Sequence, residues 1–265
     1  MDTLEIRNIT VANLPDLVSP CILAGTLDGK ASVSSESADR MTRGKLAFFH
    51  ERMRQGAAAM AAYRGPRVVG LLEYYPIEVA PTPVEGEDLF VINCLQVPHA
   101  ENREVVEKEL VAACVKDWST RKGVVVLARQ KRWDVLGFEE VLRDKWPEGD
   151  ERVLWLMKFW EVEEPRLTPF GEDYPNPPGR VRVDVFESGH CPWDFHIVSL
   201  VEEVCEDLGP VVLLEKQVLE DRTAVLRHGV STAVAVNGRY MPWFRPHPIP
   251  TRAEIKSTIE STPEG

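Results

Sequence analysis

The sequence predicts a mixed fold of the α/β and α+β classes, divided into two unlike units. Three observations carry that prediction. Short β-branched runs such as Val124 to Leu127 and Val181 to Phe186 alternate with stretches of helical apolar spacing, a pattern that feeds helices onto a mixed sheet rather than into a bundle. A proline-rich break, from Glu163-Glu164-Pro165 to Pro177-Pro178-Gly179, interrupts the periodic patterns on either side. At 265 residues and 44% apolar side chains, the chain is long enough for two cores under a soft prior of about 150 residues per domain. The expected division is a first unit over residues 1–164, a linker over 165–180 and a smaller unit over 181–265, with no internal repeat relating them.

In the first unit, Glu5 to Thr10 reads as an opening strand, and Arg43 to Gln55 as a helix with Leu46, Phe49 and Met53 on its core face. Ala58 to Tyr63 and Arg67 to Val79 form consecutive strands joined by a turn at Arg64-Gly65-Pro66. Pro76 marks an irregularity or sheet edge, and Pro81 and Pro83 end the run before an exposed acidic loop. Leu89 to Val97 is a strongly apolar strand. Arg103 to Ser119 has the spacing of a helix with Val106, Leu110, Ala113, Val115 and Trp118 on one face. Val124 to Leu127 suits an interior strand, Trp133 to Leu142 a short helix, and Arg152 to Trp160 a closing strand.

The second unit opens with the strand Val181 to Phe186 and reaches Cys191 at the start of a helix running from about Asp194 to Leu208. Ile197, Leu200, Val201, Val204 and Leu208 form its apolar face. Val211 to Leu214 is a second strand. Ser231 to Val236 pairs with Tyr240 to Phe244 across Asn237-Gly238, a dipeptide that favours two-residue hairpin turns. Thr251 caps a last helix, with Glu254 in the reciprocal position.

Composition excludes several classes of function. With 31 basic and 42 acidic residues the formal charge is -11, which argues against general attraction to nucleic-acid backbones. The start lacks the basic and apolar pattern of a secretory signal, and no segment reaches membrane-spanning length, so a cytoplasmic location is expected, with no membrane partner. Cys21, Cys94, Cys114, Cys191 and Cys205 include no close ligand-spaced pair, and neither they nor the histidines show metal spacing. Cys191 has a place where unpaired helix N–H groups stabilise a thiolate, while Asp194 in the first turn opposes that assistance; the net effect is open at this point. His190 and His196 flank it as candidate assistants or plain capping side chains.

Several of these motifs together resemble the GNAT family of N-acetyltransferases, over roughly Leu4 to Trp160. They are the hairpin ending in Val68-Val69-Gly70-Leu71-Leu72-Glu73, the strand Phe90-Val91-Ile92-Asn93-Cys94-Leu95-Gln96-Val97, the helix after it, and Leu136-Gly137-Phe138 before the last strand. The resemblance implies a mixed sheet splayed open by a bulge, with acetyl-CoA or CoA held in the gap. It implies cofactor contacts from the backbone at Leu95 and Val97, with Arg103 near the pyrophosphate, and it makes Glu73 a candidate proton acceptor for an amine substrate. Where the family has a glycine-containing phosphate turn, this chain reads Pro98-His99-Ala100-Glu101-Asn102-Arg103-Glu104, which loses one donor at Pro98 and adds charge at Glu101 and Glu104. Trp133 stands where the family often carries an acidic tyrosine, and its indole cannot fill that role.

From Val181 to about Ile259 the chain resembles the thioredoxin-like superfamily, through the strand leading to Cys191-Pro192-Trp193-Asp194 and Gly229-Val230-Ser231-Thr232 leading into the hairpin. Asp194 replaces the second redox cysteine, and Thr232 stands where the family has a proline. Cys205 is too far along the helix to resolve a disulfide at Cys191, since fourteen residues rise about 21 Å. The expected architecture is thus a splayed mixed-sheet acetyltransferase-like domain followed by a smaller thioredoxin-like domain. Three functions are expected: acetyl transfer from acetyl-CoA to a small-molecule amine; monothiol redox chemistry at Cys191 with a thiol-bearing partner; or noncatalytic ligand binding and protein interaction.

Overall fold

The computed structural model describes residues 3–22, 35–98, 102–128, 131–146, 149–171, 177–219, 221–244 and 249–262. Glu101 and the linker residues Tyr174, Pro175 and Asn176 lie outside them. The first unit runs through β1 (Leu4–Asn8), α1 (Ser35–Met53), β2 (Ala58–Arg64), β3 (Arg67–Pro76), β4 (Val84–Glu85), β5 (Leu89–Gln96), α2 (Arg103–Trp118), β6 (Gly123–Ala128), β7 (Glu139–Lys145) and β8 (Glu151–Lys158). Seven of these strands form one sheet in the order β1-β2-β3-β5-β6-β8-β7, and its one parallel pairing is β5 with β6. Helices cover both faces. Phe49 of α1 joins Leu71, Tyr75 and Val91 on one side, while Val106, Leu110, Cys114 and Trp118 of α2 join Leu72, Ile92 and Val126 on the other. β3 is therefore buried along nearly its whole length, as its near-continuous apolar run requires.

Two sequence expectations change here. The segment expected as a helix over Trp133 to Leu142 is instead a 3-10 turn at Lys131–Leu136 followed by β7. β7 is an exposed edge strand rich in charged residues, so it shows little apolar alternation; charge on an edge strand discourages pairing with other chains. The run after Tyr75 ends at Pro76 in a 3-10 turn over Ile77–Val79. Pro81 to Val84 are buried, and the acidic loop over 85–88 that follows them reaches solvent as expected.

The reason for that burial lies in the expected linker. Arg166–Leu167 forms β9, which pairs antiparallel with β4. The Thr168 N–H donates to the Pro83 carbonyl (3.0 Å), and the Gly171 N–H to the His228 carbonyl (2.9 Å). Phe170 lies under the Arg152 guanidinium, 4.1 Å from its ring centre, and 6.2 Å from the Tyr240 ring, so the segment is strapped to both units.

The second unit comprises β10 (Val181–Glu187), α3 (Pro192–Leu208), β11 (Val212–Val218), α4 (Arg222–His228), β12 (Thr232–Val236), β13 (Arg239–Tyr240) and α5 (Arg252–Ser261). Its sheet has the order β11-β10-β12-β13, with β10 and β11 parallel and the other pairs antiparallel. Val183, Val185, Ile197, Val201, Val204, Val234, Ile255 and Ile259 form its core. Asn237 and Gly238 both have positive φ (48° and 75°), the geometry of the two-residue hairpin turn that their sequence favours. The strand after them is shorter than expected and stops at Tyr240. No sequence pattern announces α4, a seven-residue helix capped by the Asp221 side chain, which accepts from the Ala224 N–H. Among the described residues no helix is long and apolar enough to cross a membrane.

Gly229 closes α4 with φ +66°, and a Cβ there would meet the Pro169 carbonyl oxygen at 2.1 Å. Gly229→Ala should therefore destabilise the protein by about 2 kcal/mol or more, combining left-handed strain with a backbone clash that no side-chain rotation relieves. Urea unfolding measures this, and a loss no larger than that of an ordinary surface substitution would contradict the strap geometry.

Candidate functional site

The sheet opens at one place. The pairing of β3 with β5 runs Glu73 opposite Cys94 and then Tyr74 opposite Ile92, which leaves Asn93 as a bulge. The β5–β6 ladder ends at Ile92 and Val126, although β5 continues to Gln96 and β6 to Ala128. A bulge bends its strand and sharpens the local twist, so β5 leaves β6 and the sheet splays. The β5 backbone at Leu95 and the following Val97 run along this opening, with both side chains buried towards α2.

α2 starts beside the end of β5. The Asn102 side chain makes no cap hydrogen bond, so it does not cover the first-turn N–H groups. Arg103 lies along the helix, its Nε donating to Glu107 at 2.7 Å, and Glu104 pairs with Lys108 at 2.8 Å. Such a start offers backbone donors and one movable cation to an anion, against two nearby carboxylates. Trp133 is buried, edge-on to Phe138 at 5.3 Å, as part of the core.

On the opposite face of the sheet, Glu73 is fully buried. One carboxylate oxygen accepts from Lys45 Nζ at 2.5 Å and the other from the Tyr75 hydroxyl at 3.1 Å. Lys45 also donates to the His190 carbonyl at 2.6 Å, joining α1, β3 and the loop before α3. Burial by itself would push the Lys45 ammonium down, but the Glu73 carboxylate overrides it and holds the group above its ordinary value. Burial, with the Glu73 charge second, drives the Tyr75 phenol well up. Each Glu73 oxygen thus accepts a hydrogen bond inside the core, and the charge of the carboxylate is matched by Lys45.

Cys191 is the N-cap residue of α3, with Pro192 in the first turn. Burial raises its thiol well above the ordinary range and the Asp194 charge adds to this, with Lys45 opposing only in part. The contest between helix start and Asp194, open in the sequence, is decided by desolvation in favour of the neutral thiol. Burial, helped by Lys45, depresses His190 to about 3. It is neutral near pH 7, so its 3.8 Å approach to Asp194 is no ion pair there, and its Nδ1 lies 2.5 Å from Ser188 Oγ. His196 meets the Trp193 ring edge-on.

The structure brings Cys191, Glu73 and Cys94 towards one junction and leaves Arg103 on the other side of the sheet. Sequence reading missed Lys45, which no spacing rule singles out, and the bond from the Trp193 indole N–H to the Cys21 carbonyl at 2.8 Å. Beside the junction, a cavity of about 520 Å³ separates α1 from the second unit, with Phe48, Arg52, Glu187, Gly189, Phe195 and Asp221 among its walls. Its three carboxylates are already engaged, Glu51 with Arg54, Glu187 with Lys216 and Asp221 with the α4 cap. No group of three or more His, Cys, Asp or Glu suited to a metal occurs among the described residues.

No family model matches the chain. No curated protein matches it either. Solved structures do. A GNAT family acetyltransferase from Brucella melitensis, in complex with acetyl-CoA, is 12% identical and matches 62% of this chain and 93% of its own, at a TM-score of 0.43. The PaiA N-acetyltransferase from Thermoplasma acidophilum, in complex with coenzyme A, is 14% identical over 59% of this chain and 99% of its own, at 0.42. The ribosomal-protein-S18-alanine N-acetyltransferase from Escherichia coli is 12% identical over 61% and 97%, at 0.41.

Replacing Lys45 by Met should cost about 3–5 kcal/mol, because it leaves a buried carboxylate without its cation. Adding Glu73→Gln to that variant should recover a large part of the loss. Denaturant unfolding of the two single variants and the double variant measures the coupling, and strictly additive losses would show that the two groups do not act as a pair.

His190 gives a pH dependence. Its folded value of about 3 lies below the ordinary 6.5, so the unfolded chain binds the proton first as pH falls. Its contribution to stability is complete above about pH 6.5 and is lost progressively down to about pH 3. A His190→Gln variant should lose stability less steeply through that window, and parallel curves would contradict the assignment.

Proposed function

We propose that this chain is an acetyltransferase-like protein that holds acetyl-CoA or CoA in the opening between β5 and β6, and that the loaded protein passes the acetyl group to a small-molecule amine. The observation that carries this reading is the Asn93 bulge with the early end of the β5–β6 ladder, which places extended β5 backbone along an open slot. The residues fit a pantetheine arm and, less strongly, a pyrophosphate. Leu95 and Val97 would hold the arm through their backbone, and the first-turn N–H groups of α2 with Arg103 would face the phosphates once Arg103 turns from Glu107. When bound, the thioester supplies an activated acyl carbon.

In this reading Glu73 anchors the site rather than accepting the proton of the amine, since it is fully buried on the α1 face of the sheet, bonded to Lys45 and Tyr75. The proton passes to water, and Trp133 donates none.

The second unit is read as thioredoxin-like. Supporting this are its β-α-β-α-β-β-α order, the sheet order β11-β10-β12-β13, and Cys191 at the start of the first helix. Its task here is to complete the junction with α1. A monothiol role for Cys191 ranks second, because burial and Asp194 both keep the thiol protonated. Cysteines held as free thiols suit a cytoplasmic setting.

Thermal unfolding with CoA or acetyl-CoA tests the proposal. Ligand at a hundred times its dissociation constant should add about 2.7 kcal/mol of stability. Arg103→Gln should weaken CoA binding by about fivefold, the effect of one modest charge-assisted contact. Absence of any shift at millimolar CoA would overturn the reading.

A further inference from the structure

The cavity between α1 and the second unit takes no part in the acetyl transfer proposed above. Its volume of about 520 Å³ falls in the range of small-molecule sites. On one side it is closed by the end of the parallel β10–β11 pair, whose register finishes with Glu187 opposite Val218. The crevice beyond the carboxyl ends of parallel strands is the usual ligand position in open α/β sheets. The Leu219 N–H donates to the Glu187 carbonyl at 2.8 Å, so this side is fixed before any ligand arrives. Two rings give the space its shape. Gly189 has φ +74°, and a Cβ there would lie 3.4 Å from both the Phe195 and the Phe48 rings. One ring from α3 and one from α1 thus approach the same stretch of bare backbone. None of Asn93, Leu95, Val97 or Arg103 is among the described walls, so the cavity is separate from the slot between β5 and β6.

The charges on the walls decide which guest fits. The Asp221 carboxylate accepts a backbone N–H at 2.8 Å, which orders it without neutralising it. Lys216 is shared between Glu187 at 2.9 Å and Glu202 at 2.7 Å, one cation for two carboxylates. Glu51 meets Arg54 at 3.3 Å with both side chains exposed, where solvent makes such a pair weak. The cation of the wall itself, Arg52, is held along α1, with Nη1 donating to Gln55 at 2.8 Å and the guanidinium 5.1 Å from the Phe48 ring centre. Three wall carboxylates therefore outweigh the positive charge beside them, and aromatic faces add to the attraction for a cation. We propose that this cavity is a binding site for a small arylalkyl amine, its ring against Phe48 and Phe195 and its ammonium towards Glu187 and Asp221. The bound amine bridges α1 and the end of the β10–β11 pair, so its binding strengthens the contact between the two units.

Calorimetric titration of the full chain, without CoA, provides the test. The probes are phenethylamine, 2-phenylethanol and phenylacetate, which keep the ring and change the charge. The expected result is saturable binding of one phenethylamine, about tenfold tighter than phenylacetate, with the alcohol between them and the preference shrinking as salt is added. Val218 lines the cavity and is 56% exposed, so it can be changed without touching the core. Val218→Lys should weaken phenethylamine binding by about two- to fivefold and Val218→Glu should tighten it by a similar factor, the effect of one exposed charge. Both variants should unfold close to the wild-type midpoint. Equal affinity for the amine and the acid, no saturable amine binding, or an affinity unmoved by both Val218 variants would overturn the proposal. CoA binding is measured separately through Arg103→Gln, so either proposal can fail alone.

Discussion

The arrangement depends first on a single buried cation. Removing an ammonium and a carboxylate from water costs several kcal/mol for each ion, which only close geometry and further hydrogen bonds offset. Lys45 meets that condition with Glu73 on one side and the His190 carbonyl on another, and Tyr75 satisfies the second oxygen of Glu73. An apolar contact tolerates small slips; this one does not. It sets the register of α1 over β3 and fixes where the loop before α3 must lie. Gly44, one residue away, leaves room for the Phe195 ring, which a Cβ there would meet at 2.6 Å.

The bulge at Asn93 serves both faces of the sheet. Towards α2 it turns Leu95 and Val97 along the splay. Towards α1 it sets Cys94 opposite Glu73, inside the junction with the second unit. A carboxylate that the sequence offers as a base is thereby drawn into an electrostatic anchor that ties β3 to α1 and to the loop before α3. Desolvation depresses His190 and raises Cys191, whereas at Lys45 the Glu73 carboxylate outweighs it.

Much of the fold was legible because its strands are apolar runs with clear ends. Leu89 to Val97, Val181 to Phe186, the Asn237-Gly238 turn and the Thr251–Glu254 capping box all follow from local physics. β7 was not, because an edge strand made of Glu139-Glu140-Val141-Leu142-Arg143-Asp144-Lys145 takes its structure from its partner β8 rather than from its own composition. α4 was missed because seven residues give too few turns for a period to show. The splay could be anticipated only through family resemblance, since a bulge is a register event between strands. Lys45 could not be anticipated: on a helix whose apolar face is Leu46, Phe49 and Met53, a lysine reads as solvated until the carboxylate opposite it is known.

The strap formed by β4 and β9 bears on how the protein can move. Arg222 of the second unit donates to the carbonyls of Thr82 and Val84, at 3.5 and 2.5 Å, so the β4 segment is gripped from both directions. Hinge rotation needs a connection whose dihedrals can change without breaking bonds, and the described part of this connection is hydrogen-bonded into both bodies it joins. Opening the junction must therefore proceed by local unfolding of the strap, a rarer and slower event than domain swing. The two units then respond to stress together, and damage to either one is felt in the other.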